Sequence, residues 1–419
     1  MPISIYPPRS TTVANISADA FARLRISNPV TVFDMQKQYG SASMLFEDIN
    51  AGTGATTHLP NESSVQLSTG GTASGAKCVR QTRQYFRYHP GKAQLILLSR
   101  TIGAAKANVR QRVGYFDAQN GLFFEQTIVG ISVTSRSYTS GGVVDTNVLQ
   151  SSWNVDKLDG TGASGITLNT TNMNLYFINF QWLGTGNASL GIFYDGTPVI
   201  CHTFQNSNVL TVPYMTTPNL PIRNEIENTG VAATLTTMKA TCNSVISEGG
   251  NEEGFGYDFT IGNGITTKAA TTRRAIISIR PAATFNGIVT RGEIDLQAID
   301  LIASSNSCYW EMVYNPTYTV GGGALTWTSV DSNSMVEYCI HSDANAGAFT
   351  NGIVTDAGFV VAGGSGVNAF SSSAGTGISS RWPVVLDSTG ANPRGFALVC
   401  TSFTGTTNVS GAIEWSEEY

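Results

Sequence analysis

The chain has 419 residues, a formal net charge of −5, 41% hydrophobic residues and only 13% charged ones. The acidic balance sets aside a sequence-independent nucleic-acid binder, which would be basic, and no apolar run approaches the ~20 residues that a membrane-spanning helix needs. With 44 glycines and a surface left largely to Ser, Thr, Asn and Gly, the composition favours short strands joined by turns over long exposed helices.

Met1–Val13 carries Pro7 and Pro8 and reads as an extended arm. It has no basic stretch followed by an apolar core, so no signal peptide is expected and synthesis should be cytoplasmic. Ser17–Arg25 is the best helix candidate: Ser17 can cap, Asp19 suits the first turn, and Asn28-Pro29 stops it. Val30–Tyr39 opens with alternating apolar residues and reads as a strand or an extension of the arm. A short helix with extended flanks has no core of its own, so residues 1–45 read either as an attachment arm or as a decoration of the first domain.

The β pattern begins at Lys77. Cys78–Tyr88, Ala93–Thr101, Asn108–Tyr115, Gly121–Ser132, Ser132–Tyr138 and Asp145–Trp153 are predicted strands. Their spaced arginines (Arg80, Arg83, Arg87, Arg110, Arg112) suit a solvated sheet face better than a partner's carboxylates. Asn169–Asn228 reads as consecutive strands: Asn174–Leu183, then Ala188–Tyr194 and Thr197–Phe204 around Asp195-Gly196, a strong hairpin signal. The proline-spaced Pro213–Pro221 follows and is expected to be a shaped loop. Val231–Ser247 closes a first domain, and the glycine-rich, acidic Glu248–Gly256 marks a boundary.

The pattern then restarts with Arg273–Arg280, Gly292–Ala303, Cys308–Tyr314, Thr326–Val330, Met335–Ile340, Gly358–Ala362, Trp382–Asp387, Gly395–Phe403 and Val409–Trp415. A glycine/serine loop covers Gly363–Ser379. Strands about 8–15 residues apart with turn signals between them fit antiparallel sandwiches or jelly rolls. The expected fold is all-β: an N-terminal arm (1–45) with a short helix, then two β-sandwich or jelly-roll-like domains, 46–250 and 251–419.

Chemistry is hard to find. His58, His89, His202 and His341 are scattered, and Cys201 and His202, adjacent on a strand, should face opposite ways. Six cysteines with long, irregular gaps suggest reduced, mostly buried thiols rather than a metal or redox site. Glu293 and Asp295 share a strand face, but no cleft between them is evident, and Asp156 and Asp159 lack a known calcium-loop pattern. Five Asn-x-Ser/Thr matches, such as Asn187-Ala188-Ser189, carry little weight without secretion. No catalytic residue, metal ligand or cofactor is expected.

Ser17-Ala18-Asp19-Ala20-Phe21-Ala22-Arg23-Leu24-Arg25-Ile26-Ser27-Asn28-Pro29 resembles the start of a group of virion structural proteins of tailed bacteriophages, usually written SADAFGRLRVS-P, with Ala22 where that group commonly has glycine. Phe180–Gly184, Tyr214–Arg223, Asn108–Glu125 and Thr284–Arg291 resemble the same group. The resemblance implies a non-enzymatic, β-rich component of the virion, made in the host cytoplasm, in a group whose members are variously tail, fibre, baseplate or capsid-associated proteins. Together with the arm, the low charge and the strand pattern it leads to the tail or its fibre and adsorption apparatus. Head decoration is the alternative; a host-polysaccharide-degrading enzyme is the second. Expected partners are other virion proteins of tail or capsid, further copies of the chain, and a host-surface receptor. Phe21, Arg23, Leu24, Arg25 and Phe33 are the expected anchoring residues. Tyr214, Met215, Pro218, Leu220 and Arg223 are the expected inter-subunit loop residues.

Overall fold

Alternation of apolar and polar residues recurs along the chain from Val30 onward, and in the computed structural model nearly all the regular structure is strand. It describes residues 29–249, 256–318, 325–342, 348–362, 369–370 and 382–419. The helix expected over Ser17–Arg25, with Phe21, Arg23, Leu24 and Arg25, lies outside these residues, as do most of the Glu248–Gly256 boundary and most of the Gly363–Ser379 loop. Among the described residues the helical turns are two short 3₁₀ segments, Pro60–Glu62 and Gln150–Ser152. The chain divides into two compact units, Met1–Glu252 and Glu253–Tyr419.

In the first unit the strands are β1 Val30–Met35, β2 Phe46–Ala51, β3 Ala55–Leu59, β4 Ser64–Ser68, β5 Lys77–Thr82, β6 Gln94–Thr101, β7 Val109–Phe116, β8 Gly121–Thr127, β9 Gly130–Ser137, β10 Val144–Leu149, β11 Asn174–Phe180, β12 Ala188–Tyr194, β13 Thr197–Phe204, β14 Ile222–Asn228 and β15 Thr237–Ser247. One sheet runs β13-β12-β11-β6-β15-β4-β3, with β1 added to β15; the other runs β10-β9-β8-β7-β14-β5-β2. β15 serves two partners on one edge. Its first half pairs with β4 and its second half with β1, across a register shift between Ala240 and Asn243. The rings of β11 meet those of the opposite sheet, Tyr176 on Phe124 (4.9 Å) and Phe180 on Tyr115 (5.6 Å). All four are fully buried, and each contributes about 1.5–3 kcal/mol by leaving water. The first unit is therefore an antiparallel sandwich.

The second unit holds β16 Tyr257–Gly262, β17 Lys268–Ala270, β18 Arg274–Pro281, β19 Thr284–Phe285, β20 Ile288–Val289, β21 Glu293–Ala303, β22 Cys308–Tyr314, β23 Thr317–Tyr318, β24 Thr328–Ser329, β25 Val336–Ile340, β26 Phe349–Thr350, β27 Ile353–Val360, β28 Ala369–Phe370, β29 Phe396–Ser402 and β30 Thr407–Glu418. Its larger sheets run β16-β30-β21-β28, with β17 also on β30, and β24-β25-β18-β29-β22-β27. All strand pairings in both units are antiparallel among the described residues, as in the pairs β21–β30 and β18–β29.

Asp195 (φ 47°) and Gly196 (φ 72°) both take the left-handed conformation and make the expected hairpin between β12 and β13. Two predicted strands need correction. Gly121–Ser132 is not one strand but parts of β8 and β9, turning at Ile128-Val129, two exposed apolar residues that give no turn signal. Trp382–Asp387 is not a strand. Pro383 has no N–H to offer a ladder, and its carbonyl instead accepts the Tyr314 hydroxyl at 2.9 Å.

The arginine reading also changes. Arg80 belongs to the core-facing set of β5, is 1% exposed, and bonds Asp48 at 2.6 and 2.7 Å. Fully buried Arg100 reaches Asn224, Asn243 and the Cys242 carbonyl. Lys37 completes this interior group. It is 1% exposed, and its Nζ lies 3.5 Å from the Phe46 ring centroid without a hydrogen-bond partner. Burial, then Arg80 and Arg100, pull its pKa down to about 6. The unfolded lysine keeps the ordinary value of 10.5, so the folded state holds fewer protons between these limits and stability rises with pH across them. Lys37→Met is expected to flatten that rise and to stabilise the first unit by about 2–4 kcal/mol near neutral pH, read from urea unfolding on both sides of neutrality.

Candidate functional site

β14 reads Ile222-Arg223-Asn224-Glu225-Ile226-Glu227-Asn228, and its two-residue period sends Ile222 and Ile226 into the core. Arg223, Glu225 and Glu227 take the other face, where register places Arg112 and Arg110 of β7 on one side and Lys77 of β5 on the other. Arg223 bonds Glu225 at 2.8 Å, Arg112 bonds Glu125 at 2.5 Å and lies 3.5 Å from Glu225, and Arg110 bonds Glu227 at 2.6 Å. Lys77 stands 3.3 Å from Glu225, and Arg136 grips Asp145 through two bonds of 2.8 Å. The guanidinium groups of Arg112 and Arg136 each sit 5.2 Å from the ring of buried Phe123. Burial opposes the charge of Glu225, but Arg223, Lys77 and Arg112 outweigh it and hold its pKa near 2. Of the arginines predicted to be a solvated face, Arg110 and Arg112 are thus locked to carboxylates of their own sheet. Glu225 stays ionised at any working pH, so it cannot serve as a general acid.

The second unit offers different material. A cavity of about 360 Å³ opens beside β18, walled by Tyr318 and Trp327 and edged by Arg280, Asn315, Asn392 and Arg394. The two rings meet edge to face at 6.3 Å. Arg280 lies 4.0 Å from the Trp327 ring and bonds Glu337 at 2.9 and 3.1 Å, so its charge is spent. Asn315 and Asn392 both adopt left-handed backbone, at φ 50° and 44°, and turn the chain ahead of Pro316 and Pro393. Gly395 is obligatory at the floor, because a Cβ there would fall 1.9 Å from the Ile279 carbonyl oxygen.

Tyr318 is held from behind. Its hydroxyl donates to Ser278 Oγ at 2.6 Å, and Ser278 Oγ lies 2.7 Å from His341 Nε2. Tyr318, Ser278 and His341 thus form one hydrogen-bonded chain behind the cavity wall. Burial, then Arg274 and Lys268, pull His341 down to about 4 and keep it neutral. The chain fixes the tyrosine ring in the cavity wall.

The residues predicted from sequence lie elsewhere. Phe33 packs within the first unit, 5.0 Å from Phe86 and 6.1 Å from Phe46. Tyr214, Met215, Pro218 and Leu220 are buried in the interior of that unit, and Arg223 belongs to the charged face. The Met215 carbonyl accepts from Trp182 and that of Leu220 from Phe86. Cys201 is fully buried, whereas His202 accepts from the Asn154 N–H on the other face. Asp156 and Asp159 accept N–H bonds from their own loop. The six cysteines are free, with Cys242 exposed and the rest buried. Glu293 and Asp295 lie on β21 and are not among the cavity residues. The cavity draws on residues spread from 279 to 395, and its visible trace in the sequence is the pair of Asn-Pro turns.

No protein family and no curated protein matches the chain. Similar solved structures include an endo-1,3-beta-glucanase from Streptomyces sioyaensis (11% identity, 53% of this chain and 97% of that chain, TM-score 0.35). A GH16 protein from the mixed-linkage glucan locus of Bacteroides ovatus, with bound product, matches at 9% identity over 51% and 99%, TM-score 0.34. A legume lectin-like domain from Entamoeba histolytica matches at 12% identity over 53% and 99%, TM-score 0.29. The likeness describes β architecture, and no residue role is taken from it. Several of these neighbours carry glycoside hydrolase names, the finding that stands against the expectation of a non-enzymatic tail component or head decoration; what they act on belongs to them alone, since the likeness at these identities and TM-scores is one of architecture.

Two measurements check these electrostatics. Glu225→Gln leaves buried cations unanswered and is expected to destabilise the first unit by about 3–5 kcal/mol in denaturant unfolding. His341 has a folded pKa of about 4 and an unfolded one of 6.5, so its contribution is complete above 6.5 and lost as pH falls towards 4. The loss should be about 3 kcal/mol for the second unit, and His341→Asn should remove that pH dependence.

Proposed function

We propose that this chain engages polysaccharide, and that the cavity of the second unit is where a sugar ring is held. The observation that carries this reading is the pairing of two aromatic walls, Tyr318 and Trp327, with polar side chains at the rim. A sugar ring has apolar C–H faces and a polar edge, and aromatic rings beside amide and guanidinium groups answer both. The volume of about 360 Å³ falls in the range of small-ligand pockets, about 300–1,000 Å³. The Tyr318–Ser278–His341 chain supports the reading further, since it immobilises one wall before any ligand arrives.

The resemblance of Ser17–Pro29 to virion proteins of tailed phages supports a second element of the proposal: the polysaccharide belongs to a bacterial host surface, and the protein reaches it on a phage particle. Electron microscopy of particles labelled against this chain checks that placement.

Binding of the full chain to an array of bacterial surface polysaccharides tests the main reading. Trp327→Ala should weaken binding about tenfold or more while the melting curve of the protein is retained. Equal binding by the variant excludes the cavity as the site. Release of reducing ends from a bound polysaccharide would add cleavage to binding.

A further inference from the structure

The cavity contains a cation that the described residues of the second unit leave unanswered. The two carboxylates bonded to cavity residues are both engaged. Glu337 holds Arg280. Asp387 accepts from the Thr389 and Ala391 N–H groups, the Thr389 hydroxyl and the Asn392 amide. Arg394 is half-buried at the same rim and is tied through its backbone N–H to the Val385 carbonyl, 2.9 Å away. Among the described residues nothing bonds its guanidinium. The Asn315 side-chain amide is likewise without a partner among the described residues. With Arg280 neutralised by Glu337, the cavity carries the positive charge of Arg394 next to its aromatic walls.

We propose that the ligand is an acidic saccharide, a sugar bearing a carboxylate, and that Arg394 is the residue that recognises its charge. The inference rests on the reading of the cavity as a polysaccharide site and names the class of sugar. A planar guanidinium offers two parallel N–H donors that match the two oxygens of a carboxylate, and a neutral sugar gives that fork nothing of equal strength. The uncommitted Asn315 amide can then take a hydroxyl of the same ring. Trp327 and Tyr318 contact its apolar face, so charge and ring are read by different residues.

The test titrates the full chain with uronic-acid-containing bacterial capsular polysaccharides, each beside its carboxyl-reduced form, in which the acid has become a neutral alcohol. Wild type should bind at least one native polysaccharide about tenfold or more tighter than its reduced form, the value of one charge-assisted hydrogen bond. Arg394→Gln should lose that preference, binding native and reduced forms alike, with an unchanged melting temperature. Arg394→Lys keeps the charge without the fork and should recover only part of it. Equal binding of native and reduced forms by wild type, or an intact preference in R394Q, overturns the assignment of an acidic ligand and leaves the polysaccharide reading standing. Absence of binding to every native, reduced and neutral polysaccharide overturns both.

Discussion

A buried carboxylate has to be matched by cations, and Glu225 imposes that requirement on much of the first unit. It lies at 2% exposure among side chains of three strands, where an unmatched charge would cost several kcal/mol. Arg223 answers it from its own strand, Arg112 from β7 and Lys77 from β5. A slip of one residue in either neighbour would turn the partner cation to the opposite face. The network therefore fixes the register of β5, β14 and β7, a task that apolar side chains perform with less discrimination. Arg112 serves Glu125 as well, which extends the same constraint to β8.

The two units use charge in opposite ways. In the first, the arginines of the charged face are paired with carboxylates of their own sheet. In the second, Arg280 is spent on Glu337 and Trp327, while the side chains of Arg394 and Asn315 have no partner among the described residues. The difference follows from the backbone. The first set projects from strands in the interior of the sheet, where neighbours on both sides supply partners. The cavity groups Asn315, Asn392 and Arg394 sit at strand ends and turns, where neighbours are missing on one side.

That contrast also explains what could be read from the sequence. Strands such as Cys308–Tyr314 and the Asp195-Gly196 hairpin were legible, because local patterning and turn chemistry are properties of neighbouring residues. The turn at Ile128-Val129 was not, since an exposed apolar pair in a hairpin mimics a continuing strand. The arginines were visible, but their partners were not, because Arg110 and Glu227 meet only after β7 and β14 pair. The cavity was hidden for the same reason. Arg280, Tyr318 and Arg394 are distant in the chain, and no spacing between them carries a signal. The resemblance of Ser17–Pro29 concerns a segment outside the described residues and is independent of the cavity geometry.

Among the described residues, the first and last strands of each unit pair with each other: Val30 of β1 lies opposite Ser247 of β15, and Tyr257 of β16 opposite Glu417 of β30. During synthesis, neither sheet can be completed until its last strand has left the ribosome, so long-range pairing is deferred and partly built edges stay open meanwhile. The same arrangement brings the entrance and exit of each unit side by side. A unit of that kind can be spliced into a host loop, or removed from it, without disturbing the chain on either side. Such modules suit proteins that diversify by exchanging whole β units while keeping the segments that flank them.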